Sequence, residues 1–114
     1  NYRIHTDAIK QNLIPPALTK SQTQIVYATE ADVLNMALFG MTARQWREAN
    51  PDKKGNIRDD ASAHQLICLA NLESMNAALI NKGIPQNERL EELNRIAIHQ
   101  MSVLVNYDNR KLLK

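Results

Sequence analysis

Between Asn87 and Leu104 the apolar residues Leu90, Leu93, Ile96, Met101 and Leu104 follow one another at helical intervals, with Ala97 beside Ile96. An α-helix with one buried stripe reads out that period, because a turn takes about 3.6 residues. A helix cannot bury such a stripe by itself, so the chain needs a partner element of similar length. One stands immediately before it. Ser62 to Lys82 carries Leu66, Leu69, Ala70, Met75, Leu79 and Ile80, and only Gly83-Ile84-Pro85-Gln86 separates the two stretches. Helices joined by so short a turn become antiparallel neighbours. The expected centre of the fold is therefore a long antiparallel helical hairpin over about 62–82 and 87–105. The polar run Asn106–Asn109 is expected to end or interrupt its second arm.

The remaining punctuation is helical too. Thr19, Thr42 and Ser62 are each followed three residues later by Gln, the form of a capping box. Thr29 is a suitable N-cap for Glu30–Leu38, with Glu30 and Asp32 at the positive end of the helix dipole and Gly40 as the stop. A helix from Thr42 ends near Asn50, before Pro51. Another covers Thr6–Leu13 and ends at Pro15-Pro16, where proline withholds a backbone donor. Asp52–Asp60 is the most polar stretch and reads as an exposed loop. Strand-like alternation is missing beyond a few residues. The expectation is an all-α single domain over 1–114, with two long helices and about three shorter ones. Aromatic residues are only 4%, so aliphatic side chains and Met must fill its core.

Several function classes fall away at this level. The net charge of +2 is too small for a DNA-coating protein, although it permits a local basic patch. No apolar run approaches the roughly 20 residues that span a bilayer. The single cysteine, Cys68, cannot form an internal disulfide, which favours a reducing, cytoplasmic setting. Beginning at Asn1 without a leader or an initiator Met, the chain reads as a fragment cut from something longer. His64 and Cys68 share a helix face and could in principle pair as ligands or as a nucleophile and base. A structural zinc site needs about four ligands, and neither His5 nor His99 lies at a motif spacing. The pairs Asp59-Asp60 and Glu91-Glu92 diverge on a helix and do not converge on a substrate. We expect no enzymatic activity, metal, cofactor or small-molecule substrate.

One segment has the form of a helix-turn-helix. Glu30–Asn50 reads helix, turn at Phe39-Gly40-Met41, helix. Arg44 and Gln45 are placed to read base edges, while Arg47, Lys53, Lys54 and Arg58 are placed to meet phosphates. Against this, Glu48, Asp52, Asp59 and Asp60 are interleaved with the basic residues and weaken any positive field. The stronger reading is two packed helices with Trp46 as a core anchor and those charges solvated, because helix-turn-helix geometry is common in proteins that do not bind DNA. Asn71, Asn76 and Asn81 recur along the first long helix. If buried, they would fix register or subunit pairing. The amphipathic helices also leave room for self-association.

Three stretches carry a more specific likeness: Asn1–Lys10 with Asn12–Pro16, Glu30–Asn35 with Ala37–Ala43, and Trp46-Arg47 with Asn50–Asp59. Together they resemble the C-terminal region of bacterial KilA-N domain-containing proteins, over Asn1 to about Leu104. At Asp60 the chain departs from relatives that carry an aromatic. In that family a DNA-binding KilA-N domain precedes this region and occurs also in phage and large DNA virus proteins. The resemblance therefore implies an accessory module of a DNA-binding regulator, phage or mobile-element related. It would contact DNA through a preceding domain and serve self-association, as a homodimer, or partner binding. The alternative is direct DNA binding through 30–50 and the basic loop 52–58.

Overall fold

A computed structural model describes residues 13–112, with side chains described as far as Tyr107. Five helices follow one another: α1 (Lys20–Gln24), α2 (Glu30–Phe39), α3 (Ala43–Ala49), α4 (Ala63–Asn81) and α5 (Gln86–Leu112). No strand occurs among the described residues, so the all-α expectation holds. The helix expected over Thr6–Leu13 lies, but for Leu13, outside them.

The caps act as their chemistry requires. The hydroxyls of Thr19, Thr42 and Ser62 accept from the backbone three residues on, and Gln22, Gln45 and Gln65 reach back to complete each box. Thr29 caps α2, and Gly40 ends it in the left-handed conformation, φ 74°, which glycine adopts without a Cβ penalty.

Asn76 of α4 meets Arg89 of α5, and Asn71 of α4 meets Gln100. Contacts that rise along one helix as they fall along the other are those of an antiparallel pair. α2 packs against both arms. Its residues Val33, Leu34, Met36, Ala37 and Leu38 join Cys68, Leu69 and Leu72 of α4 and Leu90, Leu93, Ala97 and Met101 of α5 in one core. Burying each large aliphatic side chain there contributes about 1.5–3 kcal/mol. Trp46 of α3 and Ile57 of the loop that follows it are buried apart from that cluster.

Two expectations need correction. α5 does not stop at 105 or break at Asn106–Asn109 but runs on to Leu112. Asn106 and Tyr107 point to solvent, where their lower helix propensity costs only a few tenths of a kcal/mol each. Val105, one turn beyond Met101, is buried and anchors the turn that carries them. The buried face of α4 also differs from the one expected. Leu66, Ala70, Met75 and Ile80 are exposed, while Gln65, Cys68, Leu69, Leu72 and Asn76 face inward. Apolar residues surround α4 on nearly all sides, so their spacing does not single out one stripe, and two polar residues occupy core positions.

Candidate functional site

The helix-turn-helix segment is present as α2, the turn Gly40-Met41-Thr42, and α3. α3 is only 7 residues long. On it Arg44 is 89% exposed and pairs with Glu48 at 3.2 Å. Gln45 has its side-chain oxygen committed to the Thr42 backbone N–H at 2.8 Å. Lys53 sits 3.3 Å from Asp60, and Arg58 sits 3.6 Å from Glu73 on α4. Such exposed pairs contribute about 0–1 kcal/mol, so phosphate could displace them. Lys54 is exposed.

Arg47 is different. Its guanidinium donates to the carbonyls of Asn50, Lys53 and Gly55 and lies 4.9 Å from the centre of the Trp46 ring. The loop is further closed by Asp59, whose carboxylate accepts from Asn56 N–H at 2.8 Å. Gly55 has φ 82° there, and a Cβ would stand 2.4 Å from the Asp59 carboxylate. The polar stretch expected to be a plain exposed loop is thus an organised turn built around Arg47. Of the six residues proposed for DNA, the structure brings Arg44, Gln45 and Arg47 onto one short helix. It commits Arg47 inward.

Polar residues hold the scaffold, and two of them, Arg89 and Asn94, carry no signal in the sequence. Arg89, with 8% of its side chain exposed, donates to both Glu30 oxygens at 2.6 and 3.2 Å. It also donates to Asn76 Oδ1 and to the Ile84 carbonyl. Asn76 in turn donates to Glu30 at 2.9 Å, so one network joins α2, α4 and α5. The Arg89 hydrogen bond holds the Glu30 carboxyl below its ordinary range, despite the opposing effect of burial. Asn94 accepts from Leu18 N–H at 3.0 Å and donates to Ala37 O at 3.0 Å and Pro16 O at 3.3 Å. Gln86 pairs both its amide groups with the backbone of Tyr27. Of the three asparagines on α4, only Asn76 is buried, while Asn71 and Asn81 are exposed.

The His64–Cys68 face holds no reactive thiol. Cys68 has no exposed surface, and burial pushes its thiol up to about 11. Alkylation of native protein near pH 8 is expected to run at least about 100-fold slower than that of denatured protein. A stopped labelling assay read by mass checks this. No group of three or more His, Cys, Asp or Glu side chains among the described residues is placed to hold a metal. Among the described residues no helix is long and apolar enough to cross a membrane.

A further surface lies along the α4–α5 hairpin. Leu90, Asn94, Ala97 and Met101 turn one side of α5 toward the core, and His99, Gln100 and Val103 lie largely on its other side. With Ile67 and Asn71 of α4 and Leu104, these line an open groove of about 270 Å³. Ile67 is 54% exposed, Val103 50%, and Tyr107, one turn beyond Val103, 57%. In a chain whose residues are 23% charged, none of the described residues that line the groove is Asp, Glu, Lys or Arg. Ile67, Val103 and Tyr107 were missed from sequence because they stand off the periodic stripes. No family model, curated protein or solved structure matches this chain.

Proposed function

We propose that this domain is a non-enzymatic association module that pairs with a second copy of itself through the open face of the α4–α5 hairpin. The observation that carries the reading is the groove at Ile67, Asn71, His99, Gln100, Val103 and Leu104, with half-exposed apolar side chains and no formally charged residue among the described lining residues. Depletion of charge with retention of apolar and aromatic residues is the compositional mark of an interface core. A two-fold interface needs a self-complementary patch, and a neutral one avoids placing like charges against each other. On its resemblance to the C-terminal region of KilA-N domain-containing proteins, the module serves a DNA-binding regulator. Pairing would bring two DNA-binding domains onto one target and raise the effective concentration of the second. Direct DNA binding by α3 and the loop is the rival. Arg47, spent on three loop carbonyls, counts against it.

Substitution tests the reading. Val103→Glu is expected to weaken self-association by roughly tenfold or more, because a buried unpaired carboxylate costs more than 1.4 kcal/mol. Val26→Glu, on an 87% exposed residue by Gln86, should leave it unchanged. Equal weakening by both variants, measured by sedimentation equilibrium, would count against this face. A fluorescent duplex titrated with the chain at low and physiological salt separates the rival, which requires steep salt dependence.

A further inference from the structure

A second concavity, independent of the association face, lies where α3 and its loop meet α2 and α4. It encloses about 230 Å³. Phe39, Met41, Trp46 and Ile57 form its apolar walls, and Asp60 and Asn50 supply oxygens. Both oxygens are available to a donor. The Asn50 amide nitrogen is used on the Trp46 carbonyl at 2.9 Å, which leaves Oδ1 to accept. The Asp60 carboxylate is met by Lys53 only at 3.3 and 3.4 Å, in a half-exposed pair that a better-fitting cation can displace. An anionic oxygen and a neutral acceptor set among aromatic faces suit a flat, donor-rich cation. A guanidinium satisfies them with its planar fork and stacks on aromatic rings as a compact ammonium does not. The chain's own Arg47 already stands over the Trp46 ring, 4.9 Å from its centre, but the neighbouring arginines are engaged elsewhere than on Asp60. Arg47 is held by loop carbonyls, Arg44 by Glu48 and Arg58 by Glu73.

We propose that this cavity receives the side chain of an arginine presented by a partner protein, with Asp60 as the charge partner, Trp46 and Phe39 as the apolar walls, and Lys53 as an internal competitor. The loop is prepared for this, since Arg47, Asp59 and Gly55 fix its course before any ligand arrives.

The test is a titration of the whole chain with N-acetyl-arginine methylamide, followed by amide and indole NMR shifts and by the fluorescence of Trp46, the single tryptophan. Saturable shifts at Trp46, Asn50 and Ala61 are expected in the millimolar range, on the order of 4 kcal/mol of binding for one side chain. The neutral citrulline analogue should give none, and the lysine analogue should bind several-fold more weakly. Asp60→Asn is expected to weaken binding by roughly tenfold, and Lys53→Ala to strengthen it by removing the competing cation. Both residues are half-exposed, so the variants should keep the wild-type spectrum elsewhere. Equal binding of citrulline or lysine, indifference to Asp60→Asn, weakening by Lys53→Ala, or no saturable shift would each overturn the assignment.

Discussion

Glu30→Ala is expected to destabilise the domain by about 3 kcal/mol, more than removal of its partner by Arg89→Met, at about 1–2 kcal/mol. The asymmetry follows from where each charge sits. Arg89 has 8% of its side chain exposed, whereas Glu30 has 46%. Without Glu30, a guanidinium remains buried with only the Asn76 and Ile84 oxygens to receive its donors. Without Arg89, the half-exposed carboxylate can hydrate, and Met retains most of the apolar packing of the stem. Urea denaturation of both variants measures the difference, and equal losses would mean that packing outweighs charge at this network. The pH dependence has a definite sign. Arg89 lowers the Glu30 pKa in the folded chain, so the contribution is fully present above the ordinary value near 4.5. It is lost as pH falls through the folded value. Wild type should therefore lose stability below about pH 4.5 more steeply than Glu30→Gln, which has no carboxyl to protonate there.

Asn94→Ala is expected to cost about 2–3 kcal/mol, and Asn94→Asp more. Asn94 is 5% exposed and serves backbone groups from two other parts of the chain. One is Ala37 O, in the last turn of α2, where carbonyls lack an intrahelical partner. The others are Leu18 N–H and Pro16 O, which fasten the segment before α1 onto α5. Alanine leaves these groups without that partner. Aspartate keeps the acceptor for Leu18 but turns a carboxylate oxygen toward the carbonyls of Ala37 and Pro16. The ordering Asn94→Asp below Asn94→Ala below wild type, read from thermal melts at neutral pH, checks the geometry. The reverse order would mean that the amide's two donor bonds matter less than its acceptor.

These polar side chains also mark where the sequence was legible. Local signals were strong and correct. The three Thr or Ser to Gln capping boxes set helix starts, Gly40 set a stop, and the stripe from Leu90 to Met101 identified the inner face of α5. Helix capping and periodicity are short-range physics, visible within a few turns. What stayed hidden depends on residues far apart in the chain. Arg89 meets Glu30 across 59 positions, and Asn94 meets Leu18 across 76. Nothing near either residue distinguishes it from a solvated surface position. α4 was misread for a related reason, since apolar residues on both its sides conceal which side α2 covers. Asn76 is one of three asparagines that the sequence offers as register residues, but only its partners Arg89 and Glu30 tell it from Asn71 and Asn81. The DNA candidates were chosen by residue type and order. Local hydrogen bonding, which order does not reveal, turned Arg47 toward the loop.

The groove on the α4–α5 hairpin is the centre of the functional reading, and the mass of the chain in solution tests it most directly. Sedimentation equilibrium of the unaltered protein, from about 5 to about 500 μM, spans the affinities expected of a modest apolar interface. The account predicts a weight-average mass that climbs from the monomer's 12.9 kDa toward twice that value as concentration rises. A mass that stays at 12.9 kDa across the whole range would contradict it.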